Sequence, residues 1–328
     1  MKEILQYLFN HHTLSKSEAK AIMIEIAQNK FNATEVTAFV SIFLMRNITL
    51  PELEGFREAL LQMAVPVDLD ASDAIDIVGT GGDGKNTINI STLASFVIAG
   101  TGQKVIKHGN YGASTVTGSS NLLEELGYQF KINSEELNDD LQKSNICFLH
   151  APYFHPALQS VVALRKSLGL RTFFNLLGPL VNPAKPKYSM IGTYNLEIAR
   201  IYQYLLQKDE KDFILVHGMD GYDEISLTED SKIITKNGEK IYSPEELGFS
   251  TLDPESIKAG KNTKETAKIF MNILNGKGTE QQNSVVLANA AVSLYHTNKF
   301  GTYDDCLLMV QESLLGGKAL KSLELLLK

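Results

Sequence analysis

The stretch Asp76-Ile77-Val78-Gly79-Thr80-Gly81-Gly82-Asp83-Gly84-Lys85-Asn86-Thr87-Ile88-Asn89-Ile90-Ser91-Thr92 decides the fold. It combines a short apolar strand, a turn with four glycines in six residues, and the start of a helix. Glycine lets the backbone approach a phosphate, and a helix N-terminus adds N–H groups and partial positive charge. The stretch therefore predicts a phosphate-binding α/β unit. Asp83 would repel phosphate unless it holds a metal or a sugar hydroxyl, so we expect a metal-bound sugar phosphate.

Two better-known phosphate loops match this stretch only in part. Gly79, Gly81 and Gly84 fit the dinucleotide pattern, but the next predicted strand ends in basic residues where that pattern requires an acidic one. Residues 79–85 fit most of the P-loop, but Asn86 stands where a magnesium-binding hydroxyl belongs. A glycine turn with a purely structural role is the remaining alternative.

The composition is that of a globular protein with room for two domains. The chain has 328 residues, 44% hydrophobic and 21% charged, and a net charge of −7. Its pI of about 5.6 makes nucleic acid an unexpected partner. The sequence has no apolar run near the ~20 residues of a membrane helix and no signal-peptide pattern at its start. Cys147 and Cys306, the only cysteines, suit buried thiols, so we expect a cytoplasmic protein that binds no membrane.

Residues 1–66 are predicted to form a small all-helical domain. A capping residue precedes a glutamate by three positions at Ser15, Asn32 and Thr49, which is the capping-box signature of a helix start. Apolar residues then recur at helical spacing. This apolar surface could serve a plain helical lid or a contact with a second copy of the chain.

Residues 74–328 are predicted to form a larger α/β domain with a mostly parallel central sheet. Short apolar runs alternate with helical patterns there, which is typical of parallel sheets. The predicted strands are 74–78, 104–107, 146–150, 188–193 and 213–217, followed by a hairpin at 231–242. The Pro-rich segment 171–186 is unsuited to a crossover helix and is predicted to return to the helical domain.

Ligands of open α/β sheets bind beyond the carboxyl ends of the strands, so the residues that follow each strand are the site candidates. Lys107 ends the second strand and precedes a loop with glycines and hydroxyls, 108–120. A buried lysine needs an anion, which favours a functional role. Asp223 and Glu224 follow the last parallel strand and a glycine turn, as magnesium ligands would. A solvated acidic loop is the alternative for this pair.

Other candidates have ordinary structural explanations beside the functional one. Asn89, Ser91 and Thr92 could simply cap their helix. His155 could begin a helix before Pro156, and Arg165 could lie on a solvated helix face. A guanidinium near a cleft would suit a carboxylate, which it can bind with two parallel hydrogen bonds.

These blocks resemble the anthranilate phosphoribosyltransferase family of tryptophan biosynthesis. The resemblance runs through five ordered stretches and covers essentially the whole chain. The stretches are Gly79-Thr80-Gly81-Gly82-Asp83, Asn89-Ile90-Ser91-Thr92, Lys107-His108-Gly109-Asn110, Arg171-Thr172 with Asn175 to Asn182, and Asp223-Glu224. The chain departs from many members at Tyr111, where they have Arg, and at Ser120-Asn121, where they have Ala-Asp.

The resemblance implies an enzyme that transfers the phosphoribosyl group of phosphoribosyl pyrophosphate (PRPP) to anthranilate, with two Mg²⁺ ions per subunit. It also implies a homodimer formed through the helical domains. The implied catalytic residues are Lys107, Asp223 and Glu224, and the implied metal ligands are Ser91, Asp223 and Glu224. The implied PRPP-binding residues are Gly79, Gly82, Asp83, Thr87, Asn89, Ile90, Ser91, Thr92, Lys107, His108, Gly109, Asn110 and Ser119. The implied anthranilate-binding residues are Gly79, His108, Asn110, His155, Arg165 and Gly178.

Two rival functions fit less of the sequence. A pyrimidine nucleoside phosphorylase resembles this fold and works at the same ribose carbon, but it would use inorganic phosphate and need no carboxylate pair for magnesium. A nucleic-acid-binding relative would need a basic groove, and the acidic pI argues against it.

Overall fold

The computed structural model describes residues 1–112, 116–209 and 211–328, without the side chains of Ser160, Arg165 and Lys166. The chain forms two compact units, which we call the helical unit (1–66 with 151–183) and the α/β unit (67–150 with 184–328). The helices are α1 (Lys2–Phe9), α2 (Lys16–Ala27), α3 (Ala33–Met45), α4 (Leu50–Met63), α5 (Ile90–Gly100), α6 (Ser119–Glu125), α7 (Ser134–Ser144), α8 (Ala151–Phe154), α9 (Gln159–Leu168), α10 (Leu196–Leu206), α11 (Thr263–Leu274), α12 (Glu280–His296), α13 (Tyr303–Leu315) and α14 (Lys318–Leu326). The strands are β1 (Ile75–Gly79), β2 (Val105–Gly109), β3 (Ile146–His150), β4 (Tyr188–Gly192), β5 (Asp212–Gly218), β6 (Ser231–Thr235) and β7 (Gly238–Tyr242).

The helical unit begins with three helices whose starts were predicted from their caps. Ser15, Asn32 and Thr49 each accept a hydrogen bond from the backbone N–H of the glutamate three residues later, and that glutamate accepts one from the capping residue's N–H. These reciprocal bonds satisfy N–H groups that a helix leaves unpaired at its start. The predicted helix starts are confirmed.

A cluster of phenylalanines joins the two sequence segments of the helical unit. The Phe173 ring lies 4.7 Å from that of Phe56 and 5.0 Å from that of Phe43. All three side chains are buried, so the cluster contributes the large apolar area that aromatic rings bring to a core. The return segment predicted at 171–186 is longer in the structure, where the helical unit takes in 151–183. Helix α9, predicted as part of the α/β domain, thus lies in the helical unit.

The α/β unit is built on a seven-stranded sheet in the order β3-β2-β1-β4-β5-β6-β7. Strands β1 to β5 are parallel, and β6 and β7 form the predicted antiparallel hairpin. The strand order reverses at β1, which has β2 on one side and β4 on the other. Ligands of open α/β sheets bind at such a switch point. The predicted fold class is confirmed, and the glycine turn lies at this point.

Helix α5 is buried along almost its whole length. Every residue from Thr92 to Ala99 is buried, because the helix packs between the sheet and the helices α12, α13 and α14. A helix that is apolar on all sides needs such a position. Helix α14, which the sequence analysis did not predict, supplies part of this cover through Ala319 and Leu323. The core therefore holds the helix that begins at the glycine turn in a defined place.

Candidate active site

The glycine turn adopts a backbone that few other residues permit. Gly81, Gly82 and Gly84 have φ angles of 65°, 77° and 78°, and Asn86 has 52°. This left-handed region suits glycine and, less readily, asparagine. Asp83 lies within the turn, and its Oδ1 accepts a hydrogen bond from the N–H of Lys85 at 3.0 Å. The turn thus presents closely spaced backbone groups with one carboxylate among them.

Asp223 and Glu224 lie against this turn, although they are more than 130 residues away in sequence. Asp223 Oδ2 accepts from the N–H of Gly81 at 2.6 Å. Glu224 Oε2 accepts from the Thr87 hydroxyl at 3.2 Å, and its Oε1 accepts from the N–H of Ser91 at 3.0 Å. The acidic pair therefore faces the glycine turn and the start of α5, so the solvated acidic loop is the wrong interpretation.

The carboxyl groups are crowded enough to change their proton affinities. Burial, followed by the negative charge of Asp83, raises the pKa of Asp223 to about 7. Burial, followed by the charges of Asp223 and Asp83, raises the pKa of Glu224 well above its ordinary value. Buried carboxylates with like-charged neighbours are stabilised by a bound cation. Carboxylate oxygens are the donors that magnesium prefers, and Asp223 and Glu224 supply them here, although the described residues contain no group of three His, Cys, Asp or Glu side chains arranged as a complete metal site.

Two glycines leave the space that Asp223 occupies. Gly79 and Gly192 face each other across the β1–β4 pair. A Cβ on Gly79 would collide with Oδ2 of Asp223, and one on Gly192 would collide with its main-chain carbonyl. Gly79 was predicted as a ligand residue, and its contact in the structure is with the carboxylate.

Lys107 is buried beneath the start of α5, and only 2% of it is exposed. Its Nζ donates to the Ile77 carbonyl and lies 3.5 Å from the Ser91 hydroxyl. Burial lowers the pKa of Lys107 to about 8, and the negative charges of Asp76 and Glu224 act against this shift. The positive charge of Lys107 thus supports Ser91 and Glu224 from inside the sheet.

The start of α5 is not capped by its own N-cap residue. Asn89 occupies the N-cap position without a side-chain cap, and its Nδ2 donates to the Thr117 carbonyl at 3.0 Å. Among the described residues, the buried Asn89 Oδ1 has no hydrogen-bond partner. Simple capping is therefore the wrong interpretation for Asn89, and this oxygen is available to a ligand. Ile90 and Thr92 are buried, so their side chains belong to the core.

The loop after β2 turns back onto the start of α6. His108 is buried, and its N–H donates to Oδ1 of Asp76 at 3.3 Å. The carbonyl of Asn110 accepts from the N–H of Ser120 at 3.1 Å and lies 3.4 Å from the Ser119 hydroxyl. A Cβ on Gly109 would collide with the Ser119 hydroxyl and Phe148. The predicted residues of this loop are thus brought together, while 113–115 lie outside the described residues.

The remaining three anthranilate candidates lie in the helical unit. His155 is 1% exposed, and its Nε2 lies 2.8 Å from the Val181 carbonyl. Burial lowers the pKa of His155 to about 4, which keeps the ring neutral. Gly178 begins a short 3₁₀ helix (Gly178–Leu180). The side chain of Arg165 is not among those that the structure describes. The helix-start interpretation of His155 agrees with its position just before the 3₁₀ helix Pro156–Leu158.

Three residues that shape the site are not among the residues predicted from the sequence. Asp76 is a buried carboxylate inside an apolar strand, which is a visible sequence signal. Thr80 is 6% exposed, and its hydroxyl has no partner among the described residues. Asn121 was noted only as a departure from the family pattern, yet it bridges two segments of the 108–120 loop. No local pattern predicts that bridge, because its partners are backbone groups.

Family models match both parts of the chain. The model described as "Glycosyl transferase family, a/b domain" matches residues 71–320, and the one described as "Glycosyl transferase family, helical bundle domain" matches residues 2–64. None of the described helices is long and apolar enough to cross a membrane.

Several known proteins are similar to this chain over nearly its full length. The anthranilate phosphoribosyltransferases of Flavobacterium johnsoniae and Bacteroides thetaiotaomicron are each 49% identical to this chain, over 99% of this chain and 98% of the relative. The crystal structure of the Thermus thermophilus enzyme of that name has a TM-score of 0.90 and 30% identity, over 98% of both chains. The Saccharomyces cerevisiae enzyme in complex with PRPP and Mg has a TM-score of 0.88 and 28% identity, over 96% of this chain and 93% of that chain.

Proposed function

This chain belongs to the anthranilate phosphoribosyltransferase family, and from that membership we propose how its residues divide the work of the reaction. The chain transfers the phosphoribosyl group of PRPP to the amino group of anthranilate, releases pyrophosphate and forms N-(5-phosphoribosyl)anthranilate, in tryptophan biosynthesis. One observation carries the assignment of residues: the buried Asp223 and the half-buried Glu224 both lie against the glycine turn at the switch point of the sheet.

PRPP binds at the glycine turn and the two loops beside it in our proposal. The positive-φ turn allows phosphate oxygens close to the backbone, and the start of α5, which the Asn89 side chain does not cap, offers partial positive charge. Asn89 Oδ1, which is buried and lacks a partner among the described residues, is suited to accept from a ribose hydroxyl. Further contacts come from Asn110 and Ser119, which share a hydrogen bond.

Asp223, Glu224 and the hydroxyl of Ser91 would hold Mg²⁺, with two ions per subunit as the proposed number. The raised pKa values of the two carboxyl groups support this, because buried like charges favour a bound cation. When bound, magnesium neutralises charge on the pyrophosphate as it leaves. Asp223 is kept in place by the N–H of Gly81, and Glu224 by Thr87 and Ser91.

The anthranilate nitrogen attacks C1 of the ribose from the face opposite pyrophosphate, which inverts that carbon without a covalent enzyme intermediate. The transition state resembles an oxocarbenium ion, as in glycoside cleavage. Positioning two substrates can lower the barrier by about 7–11 kcal/mol, so most of the rate comes from orientation. An aromatic amine loses its proton readily once bonded, so a strong base is not required. Arg165 is proposed to bind the anthranilate carboxylate through two parallel hydrogen bonds.

A homodimer formed through the helical unit is also part of the proposal. Its support is the exposure of large apolar side chains on that unit, with Met45 89% exposed and Phe9 59% exposed. Sedimentation would show a dimer for the intact chain and a monomer for Met45→Glu with Phe9→Glu. A monomeric intact chain would contradict it.

A cytoplasmic location stays a prediction, supported by the two buried free thiols Cys147 and Cys306.

The test of function follows anthranilate fluorescence in a mixture of protein, PRPP and Mg²⁺. We expect fluorescence to fall with equimolar release of pyrophosphate, and EDTA to stop both. Replacing anthranilate with other amines should give no pyrophosphate. Phosphorolysis of uridine or thymidine by inorganic phosphate, without turnover of PRPP, would establish the nucleoside phosphorylase instead.

A further inference from the structure

We propose that Asn121 is a positioning residue for PRPP, which ties the two ends of the segment 112–118 together and thereby places Asn110 and Ser119. This inference rests on the proposed PRPP site. Asn121 lies in the first turn of α6, and its Oδ1 accepts two backbone hydrogen bonds. One comes from Gly118 at 3.0 Å, directly before the helix, and the other comes from Gly112 at 2.9 Å.

The two N–H groups belong to opposite ends of one loop. The bond to Gly118 is the ordinary third-residue half of a capping box. The bond to Gly112 is additional, and it brings the outgoing chain after β2 against the chain that enters α6. The approach is close enough that a Cβ on Gly118 would collide with the N–H of Gly112 and crowd the carbonyl of Asn110. One acceptor oxygen therefore closes the loop at its base.

This closure acts on residues proposed to bind PRPP. Ser119 directly follows Gly118, and Asn110 precedes Gly112 by two residues. The Asn110 carbonyl accepts hydrogen bonds from the Ser119 hydroxyl and, at 3.1 Å, from the Ser120 N–H. Both bonds require the two ends of the segment to stay together. Loss of the Asn121 acceptor leaves two N–H groups without their partner and lets the ends separate. Asn121 itself acts through the backbone and is not assigned a contact with substrate.

The neighbouring side chains hold α6 on the sheet but do not replace the bridge. The Ser120 hydroxyl lies 2.8 Å from Nδ1 of His150, whose ring stacks on Phe130 at 4.2 Å. The Tyr111 hydroxyl donates to Glu124 at 2.6 Å. These contacts fix the helix and the outer side of the loop. Asn121 is the side chain that bonds the N–H groups of both Gly112 and Gly118, which makes it a specific target.

The experiment compares three variants in steady-state kinetics with saturating Mg²⁺. Asn121→Leu keeps the shape and removes the acceptor, so we expect the KM for PRPP to rise about tenfold or more while kcat changes less than about threefold. Asn121→Asp keeps an acceptor oxygen and should restore a KM within about threefold of the unmodified chain. The control Gln282→Met removes the same capping acceptor from α12, where Gln282 accepts from Thr279 at 3.1 Å. It should lower thermal stability without changing the KM.

A KM for PRPP that Asn121→Leu leaves within twofold would overturn the inference, as would a failure of Asn121→Asp to restore it. If Asn121→Leu does not fold, Gly118→Ala supplies the test, because it separates the same two chain ends and should raise the same KM. Turnover of PRPP and anthranilate by the unmodified chain, measured first, separates failure of the inference from failure of the proposed function.

Discussion

At the scale of single residues, the site depends on charges that are buried together. Asp223 and Glu224 are placed by backbone N–H groups and a threonine hydroxyl, while Lys107 lies beneath Ser91 and donates to the Ile77 carbonyl. Burial first, and neighbouring negative charge second, raise the pKa values of both carboxyl groups. A group kept in this state needs a cation from outside, which connects the electrostatics to magnesium.

The double substitution Asp223→Asn with Glu224→Gln should lower kcat by at least about 10³-fold while the fold is kept. Because the substitutions relieve repulsion, we expect the double variant in EDTA to unfold at the same temperature as the unmodified chain or above it. It should gain no stability from Mg²⁺. Calorimetry and the fluorescence assay measure these effects. The exposed pair Glu245→Gln with Glu246→Gln is the control, and magnesium-dependent activity in the site variant would reject the metal assignment.

At the scale of elements, the site is made by the ends of strands that are neighbours in space. Gly79 ends β1 and Gly192 ends β4, and both leave room for the backbone and carboxylate of Asp223 after β5. Side chains at these two positions would push Asp223 out of place. The packing of three strand ends, more than any single hydrogen bond, therefore defines where the carboxylate can be.

Gly192→Ala should destabilise the α/β unit by about 1–3 kcal/mol, because its Cβ would overlap the Asp223 carbonyl and the backbone must shift. The same shift should lower kcat/KM by at least about tenfold. Urea unfolding and steady-state kinetics measure the two effects. Ser189→Ala, on the same strand, is the control and should keep kcat/KM. An unchanged kcat/KM in Gly192→Ala would show that Asp223 tolerates displacement.

Helix α4 offers a pH-dependent prediction in the helical unit. Glu52 is fully buried, and burial alone would raise its pKa, but hydrogen bonds from Arg46, Thr49 and Leu14 lower it below 4.5. A carboxyl group with a depressed pKa stabilises the fold above its unfolded pKa and loses that contribution as the pH falls through the folded value. We expect Glu52→Gln to cost about 2 kcal/mol near pH 7. That difference should shrink as the pH falls below 4.5.

Urea unfolding followed at several pH values measures this difference. Glu35→Gln serves as the control, since Glu35 makes the same capping box on α3 but is less buried than Glu52. Its cost should be less than that of Glu52→Gln. A cost of Glu52→Gln that stays constant down to about pH 3 would contradict the assigned pKa.

At the scale of the whole molecule, the two compact units carry different parts of the proposal. Every residue proposed for PRPP and magnesium belongs to the α/β unit, while Arg165, His155 and Gly178 belong to the helical unit. The helical unit is continuous in space although its chain leaves at 66 and returns at 151. A ligand that binds only the folded state stabilises the region it contacts.

Hydrogen exchange should therefore report PRPP within the α/β unit. With PRPP and Mg²⁺ we expect slower exchange at 79–92 and 107–112, and a smaller effect in α2, α3 and α4. The protection should disappear when EDTA replaces Mg²⁺, because the carboxylates then repel the diphosphate. Protection that is as strong in EDTA, or that is confined to α2–α4, would place PRPP elsewhere.

Local sequence was enough to predict the capped helices, the strand positions and the glycine turn. Capping boxes, apolar periodicity and glycine content act over a few residues, so they can be read along the chain. Family resemblance then supplied the reaction. The strand order, the inclusion of α9 in the helical unit, the space at Gly192 and the bridge made by Asn121 could not be read in this way. Each of them depends on contacts between segments that are distant in sequence or on backbone groups that every residue shares, and only the packed chain decides which of those meet.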